Sequence, residues 1–127
     1  METISNSVLT VGISEHGAEL QSIRKNGKEY LWQGDARFWG RRSPLLFPIV
    51  GRMWEDTYRY AGNSYRMGQH GFARDTDFKV TYKGEEGIVY WLESTPEMLG
   101  KYPFPFRLMV GYLLEGNRIS VKWRVEN

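Results

Sequence analysis

The stretch AELQSIRKNGKEYLW, residues 18–32, decides the fold class because it carries the strongest short hairpin signal in the chain. Asn26-Gly27 separates two segments, 18–25 and 28–32, and both turn residues tolerate the positive φ that a two-residue β-hairpin turn requires. Upstream, Val8 to Ser14 alternates between apolar and polar residues, which is the period of a strand. The first third of the chain is therefore predicted to be strands joined by tight turns.

Three further hairpins are predicted along the chain, at residues 57–67, 78–93 and 107–126. Helix signals are confined to a single turn that begins at Asp35 and a short helix with Thr95 as N-cap and Pro96 at its first position. Eight or more short strands with closely spaced turns predict an all-β protein, an antiparallel β-sandwich. At 127 residues, the chain is expected to be one domain or part of one.

The last predicted strand runs to Asn127, and no closing element follows it. A sandwich that stops there exposes an unpaired strand edge or an uncovered sheet face. We therefore expect either self-association or pairing with a missing C-terminal portion.

Composition and charge exclude several classes of function. The chain has 17 Lys and Arg against 15 Asp and Glu, and a net charge of +2 is too small to predict nucleic acid or an anionic membrane as partner. Cysteine is absent and there are only two histidines, so no disulfide and no metal site is expected. The N-terminus lacks the pattern of a secretory signal, and no apolar stretch approaches the ~20 residues of a membrane helix. A cytoplasmic location is expected.

Two segments carry the residues best suited to chemistry: SPLLFPIVGR, residues 43–52, and QHGFARD, residues 69–75. The imidazole of His70 can give or take a proton near neutral pH, or hydrogen-bond a hydroxyl group. The guanidinium of Arg52 suits hydroxyls, carboxylates or phosphates. The hairpin at 57–67 lies between the two segments, so we expect it to place Arg52 and His70 on one rim.

Each of these residues also has a purely structural interpretation. His70 either binds a ligand or is tied to the backbone, and Arg52 is either a ligand-binding or a surface arginine. Arg74 either reads an anion or forms a loop-bracing ion pair with Asp75, and such pairs are individually weak. Three aromatic rings either face a sugar or belong to the core: Trp39, Trp54 and Phe72.

The run FWGRRSPLLFPIVGR, residues 38–52, followed by residues 69–75, resembles the aldose 1-epimerase (galactose mutarotase-like) family, and is most similar to its bacterial LacX-like branch. The similarity extends to residues 8–32 and 112–127. It implies a galactose mutarotase-like supersandwich that interconverts the α and β anomers of sugars without a cofactor. In that reaction a base deprotonates the anomeric hydroxyl and an acid protonates the ring oxygen.

By this resemblance, His70 matches the family's first active-site histidine, a catalytic position that hydrogen-bonds the sugar near its reacting end. Arg52 matches an arginine that binds sugar hydroxyls. Arg74 matches an arginine that helps bind phosphate in the branch acting on hexose 6-phosphates, and it also occurs in LacX-like members. The implied partner is a monosaccharide, either an aldohexose or a hexose phosphate.

The usual members of the family are considerably longer than this chain. Their general acid, a second histidine, and their general base, a glutamate, are expected beyond Asn127. We therefore expect residues 1–127 to be the N-terminal part of a mutarotase-like sandwich domain, inactive or nearly so as a lone chain. A second hypothesis is a non-catalytic carbohydrate-binding or interaction module.

Overall fold

The computed structural model describes residues 1–127 and is almost entirely antiparallel β-structure, as the turn pattern predicted. Ten strands and one short α-helix make up the regular structure: β1 Glu2–Ser5, β2 Thr10–Ile13, β3 Leu20–Lys25, β4 Lys28–Glu29, β5 Thr57–Tyr60, β6 Asn63–Arg66, β7 Lys79–Lys83, β8 Gly87–Glu93, α1 Pro96–Lys101, β9 Arg107–Glu115 and β10 Arg118–Glu126. Two short 3-10 turns lie at Trp54–Asp56 and Ala73–Asp75.

The strands form two four-stranded sheets and one separate hairpin. The first sheet has the order β1-β2-β3-β4 and the second the order β10-β9-β8-β7, while β5 pairs only with β6. Side chains from both large sheets share one core: Ile4, Val11 and Ile13 from the first, and Ile88, Tyr90, Leu108, Val110 and Leu114 from the second. The two large sheets therefore pack as the layers of a sandwich.

Two buried tyrosines of the second sheet connect it to the first. The Tyr112 hydroxyl donates to the carbonyl of Ala18 over 2.6 Å, and the Tyr90 hydroxyl lies 3.5 Å from the carbonyl of Ile13. Burial raises the pKa of both phenols, so both remain neutral donors at physiological pH. The aromatic rings fill the core while each hydroxyl finds a partner, as buried tyrosines require.

The Asn26-Gly27 hairpin is confirmed, with φ values of 50° and 76° at the two turn residues and pairing of Lys25 with Lys28. Its second strand is shorter than predicted, because β4 ends at Glu29 instead of continuing to Trp32. The Glu29 carboxylate accepts hydrogen bonds from the backbone N–H of Ile23 and Leu31 at 2.7 and 3.0 Å. This side chain takes over backbone donors that a longer ladder would use.

The other predicted hairpins are present as β5–β6, β7–β8 and β9–β10. Thr95 caps α1 by accepting from the N–H of Met98, and Asp35 accepts from the N–H of Trp39 in a single turn. Strand β1 was not predicted. With only six residues, α1 is far too short to cross a membrane, and no other helix is long enough to do so.

Strand β10 lies at the edge of the second sheet and pairs only with β9. Val121, Trp123 and Val125 point to the same side of the sheet as the core residues of β9, yet they are 44%, 45% and 52% exposed. The chain therefore has an unpaired edge and an uncovered face at its last strand, as expected from the sequence.

We predict that Glu29→Gln destabilises the protein at neutral pH by about 2 kcal/mol, because it weakens several hydrogen bonds to a carboxylate. Burial acts to raise the pKa of Glu29, but hydrogen bonds from Ser22, Ile23 and Leu31 outweigh it and lower the pKa to about 2. A lowered pKa stabilises the fold above the unfolded value near 4.5, and this contribution is lost as the pH falls toward 2.

Urea unfolding of both proteins between pH 7 and pH 2 measures this difference. The free energies of unfolding of the two proteins should converge as the pH falls. Glu86→Gln, at an exposed turn, is the control and should change little at any pH. A difference between wild type and Glu29→Gln that stays constant down to pH 2 would contradict the linkage.

Candidate functional site

Backbone hydrogen bonds hold the two chemically rich segments side by side. The carbonyl of Phe47 accepts from the N–H of Phe72 and of Ala73, at 3.0 and 3.1 Å. Farther along, the carbonyl of Gly51 accepts from the N–H of His70 over 2.8 Å. The hairpin β5–β6 lies between them in sequence, and the segments flanking it meet as predicted. The backbone at Gly51, the residue before Arg52, therefore lies against His70.

Gly71 is required by this contact. Its φ is +71°, and a Cβ at this position would overlap the carbonyl group of Phe47, with which Gly71 forms an isolated β-bridge. Only glycine combines a left-handed conformation with so close an approach of two backbones. The glycine in the QHGF motif is thus explained by the contact that positions His70.

His70 is half-buried, and one of its ring nitrogens is already used. Its Nδ1 accepts a hydrogen bond from the backbone N–H of Gly51 over 2.8 Å. A neutral imidazole has one acceptor and one donor nitrogen, so the proton resides on Nε2. Nε2 has no partner within the chain. The two interpretations of His70 are therefore compatible, since Nδ1 is tied to the backbone and Nε2 is left to donate to a ligand.

The guanidinium of Arg52 forms a two-point ion pair with Asp56, in which Nε and Nη2 donate to the two carboxylate oxygens over 2.8 and 3.1 Å. The hydrogen bonds that Arg52 donates to this carboxylate, together with its negative charge, raise the pKa of Arg52. The arginine side chain is 65% exposed, and exposed ion pairs contribute little net free energy. Arg52 is consequently oriented by Asp56 and remains available to a ligand.

Arg74 differs from Arg52 because its side chain is only 17% exposed. Its Nη2 donates to the carbonyl of Gln69 over 3.0 Å, while its buried Nε has no hydrogen-bond partner. The predicted pair with Asp75 is loose, at 3.6 Å, since Asp75 accepts a 2.8 Å hydrogen bond from Arg41 instead. Arg74 therefore braces the loop through Gln69 and retains one unused donor.

The three candidate aromatic rings divide into two groups. Phe72 is buried and packs against Phe47 and Phe106, so it belongs to the core. Trp39 is 50% exposed and Trp54 is 88% exposed, so a core role is wrong for both. These two tryptophans lie in irregular segments outside the sheets and have no packing layer above them.

Glu19, which the sequence analysis did not single out, anchors the start of the apolar segment. Its carboxylate is buried and accepts from the backbone N–H of Arg42 and Ser43, at 3.1 and 2.7 Å. Nothing local marks this residue, because its partners lie more than 20 residues away in sequence. It is a structural support for the wall that carries Arg52.

The candidate site is an open wall rather than a closed pocket. A cleft of about 770 Å³ lies between the loop at 67–72 and helix α1, and neither Arg52 nor His70 lines it. This chain thus presents the two side chains on a surface with no opposing side.

A β-sandwich that carries a histidine and an arginine on neighbouring segments defines a class of proteins. Comparison with known proteins identifies that class. The chain matches the aldose 1-epimerase family over residues 2–127, and it belongs to that family. Protein LacX of Lactococcus lactis subsp. lactis is 35% identical over 130 residues, which cover 98% of this chain and 44% of LacX.

Solved structures agree with this assignment. A galactose mutarotase related enzyme from Lactobacillus acidophilus superposes with a TM-score of 0.96 at 43% identity, covering 98% of this chain and 42% of that protein. A galactose mutarotase-like protein from Lactobacillus casei gives a TM-score of 0.95 at 43% identity, covering 98% and 43%. The chain thus spans less than half the length of these relatives and corresponds to their N-terminal part.

We predict that neutral His70 exists as the Nε2–H tautomer, because Nδ1 accepts from Gly51. Long-range ¹H–¹⁵N spectra distinguish the two ring nitrogens. His70→Ala removes the acceptor of the Gly51 N–H, so the amide signal of Gly51 should shift in that variant. His16→Ala, which changes an exposed histidine beside Asp77, is the control and should leave the Gly51 amide unaffected. A protonated Nδ1 in the neutral ring would contradict the geometry.

Proposed function

We propose that this chain supplies the sugar-binding wall of an aldose 1-epimerase, with Arg52 and His70 donating hydrogen bonds to a monosaccharide. The observation that carries this proposal is the pair of hydrogen bonds between Gly51 and His70, which orients the imidazole and leaves Nε2–H as a free donor. Family membership supports a sugar as the ligand, and the similar L. acidophilus and L. casei proteins are described as galactose mutarotase related or mutarotase-like.

Mutarotation needs a base for the anomeric hydroxyl and an acid for the ring oxygen. In neutral His70, Nδ1 already accepts a hydrogen bond and Nε2 carries a proton. The ring is therefore better suited to donate a hydrogen bond to the sugar than to act as the acid or the base. We therefore assign it to hydrogen-bonding the sugar near the reacting atoms. In this proposal, the acid and the base come from the part of the relatives' sequences that this chain does not match.

In this proposal, residues 1–127 form the N-terminal part of one mutarotase-like sandwich domain, acting without a cofactor in the cytoplasm. The lone chain binds sugar and leaves the spontaneous rate of anomer exchange essentially unchanged. A sugar held on one wall makes few contacts to offset the free-energy cost of association, so weak binding is expected.

We predict that glucose or galactose shifts the NMR signals of Gly51 and His70 in the chain at millimolar concentrations. His70→Ala and Arg52→Ala should each weaken binding by about tenfold, because each removes a donor to a sugar hydroxyl. The matched controls are His16→Ala and Arg59→Ala, which change the same residue types at exposed positions elsewhere. Shifts that are confined to residues far from Gly51 would contradict the proposed site.

The catalytic part is tested by joining residues 1–127 to the second half of the L. acidophilus relative. Polarimetry should show accelerated mutarotation of an aldose, and His70→Ala should reduce this rate by about 100-fold. Circular dichroism and size exclusion establish that both joined proteins are folded. A folded joined protein that binds sugar but leaves every aldose at its spontaneous rate would favour the non-catalytic carbohydrate-binding module.

A narrower candidate is a hexose 6-phosphate substrate, which the environment of Arg74 favours. The Nε atom of this arginine forms no hydrogen bond and lies 3.6 Å from Asp75 Oδ2, so its positive charge is only loosely paired and a phosphate oxygen is an acceptor that suits it. Arg74 also lies in the same loop as His70, so one ligand can reach both side chains.

We predict that Arg74→Gln weakens binding of glucose 6-phosphate by about tenfold and leaves binding of glucose within twofold, because the charge contacts only the phosphate. Titration of the chain with both sugars measures this split. Arg66→Gln, at an exposed position of β6, serves as the charge-matched control. Equal loss for both sugars would indicate that Arg74 acts only by bracing the carbonyl of Gln69.

A further inference from the structure

The carboxylate of Asp75 lies between two arginines that compete for it. Its Oδ1 accepts a hydrogen bond of 2.8 Å from Nη2 of Arg41, whereas its Oδ2 lies 3.6 Å from Nε of Arg74. Only the shorter distance is a hydrogen bond, because donor and acceptor must approach to about 3 Å. Asp75 is therefore paired with Arg41 in the folded chain, although Arg74 is its neighbour in sequence.

The backbone on both sides of this pair is fixed by hydrogen bonds. Asp75 ends the 3-10 turn Ala73–Asp75, and its N–H donates to the carbonyl of Phe72 over 3.1 Å. Arg41 immediately precedes two residues whose N–H groups donate to the buried carboxylate of Glu19. The side chains of Arg41 and Asp75 are themselves 36% and 52% exposed. The choice of partner for Asp75 is thus made by side chains on a fixed frame.

This choice decides the state of the Arg74 guanidinium. Its Nε forms no hydrogen bond while Asp75 is held by Arg41. Without Arg41, the carboxylate only has to close the 3.6 Å gap to the ~2.8 Å of a charge-assisted hydrogen bond. A carboxylate bound to Arg74 would then satisfy Nε, neutralise the guanidinium and repel a second anion.

We propose that Arg41 and Asp75 are specificity-determining residues, which together decide whether Arg74 accepts an anionic sugar. Arg41 holds the carboxylate of Asp75 away from Arg74, so that the guanidinium stays available to the phosphate of a hexose 6-phosphate. This inference rests on the proposed role of Arg74. It adds that Arg41 acts through Asp75 and does not contact the phosphate itself.

The test is an NMR titration of wild type and three variants with glucose 6-phosphate and with glucose. Arg41→Gln should weaken binding of glucose 6-phosphate by about tenfold, and Asp75→Asn should strengthen it by about threefold. The double variant Arg41→Gln/Asp75→Asn should bind it within twofold of wild type, because no carboxylate is left to occupy Arg74. Binding of glucose should stay within twofold in all three variants.

The ¹H–¹⁵N signal of the Arg74 Nε–H reports the same change of partner without any sugar. It should shift in Arg41→Gln and return toward its wild-type position in the double variant. The matched control is Arg37→Gln, which removes the same charge from an exposed arginine that pairs with Asp35 over 2.7 Å. This control should alter neither the Arg74 signal nor the binding of either sugar.

Two results would overturn the proposal while leaving the role of Arg74 intact. A double variant that binds glucose 6-phosphate as weakly as Arg41→Gln would indicate that Arg41 contacts the phosphate itself. An Arg74 signal that does not respond to Arg41→Gln would show that Asp75 does not change partner. Unchanged urea midpoints, as expected for an exposed ion pair, establish that the variants are folded.

Failure of the proposed function is a separate result. If Arg74→Gln leaves binding of glucose 6-phosphate unchanged, the hexose 6-phosphate candidate fails, and the present inference fails with it. If Arg74→Gln weakens this binding and Arg41→Gln does not, only the present inference fails.

Discussion

The backbone contact between residues 47–51 and 70–73 is the constraint on which the candidate site depends. It consists of main-chain hydrogen bonds from Phe72 and Ala73 to Phe47, and from His70 to Gly51. Because these bonds join backbones, the rim survives changes in most side chains and fails where a side chain is introduced at Gly71. The same contact fixes both the position and the tautomer of His70.

The sandwich and the site share one property, which is that each has an uncovered face. The inner face of β10 has core residues without a covering layer, and the wall bearing Arg52 and His70 has no opposing wall. The chain spans less than half the length of the relatives that it matches.

Local turn chemistry made much of the fold predictable. Asn26-Gly27 supplies two positive φ values, and Thr95-Pro96 supplies a cap and a fixed first helical residue, so each signal acts within a few positions. Strand β1 was not predicted because it is four residues long and only Ile4 is buried. One buried residue is not enough to reveal the alternation of apolar and polar residues that identifies a strand. Strand β4 ends early where the Glu29 carboxylate accepts hydrogen bonds from the N–H of Ile23 and Leu31. The hydrophobic periodicity of the sequence carries no information about these hydrogen bonds.

Local patterns in the amino-acid sequence are enough to predict the hairpins, the all-β class and the approach of residues 47–51 to 70–73, because strand pairing follows from these patterns and from adjacent turns. The state of each site residue depends on contacts that form only in the folded protein. Gly51 occupies Nδ1 of His70, Asp56 orients Arg52, and Arg41 draws Asp75 away from Arg74. Asp75, for example, lies 2.8 Å from Arg41 and 3.6 Å from Arg74, and such competition between partners is settled only when the chain has folded.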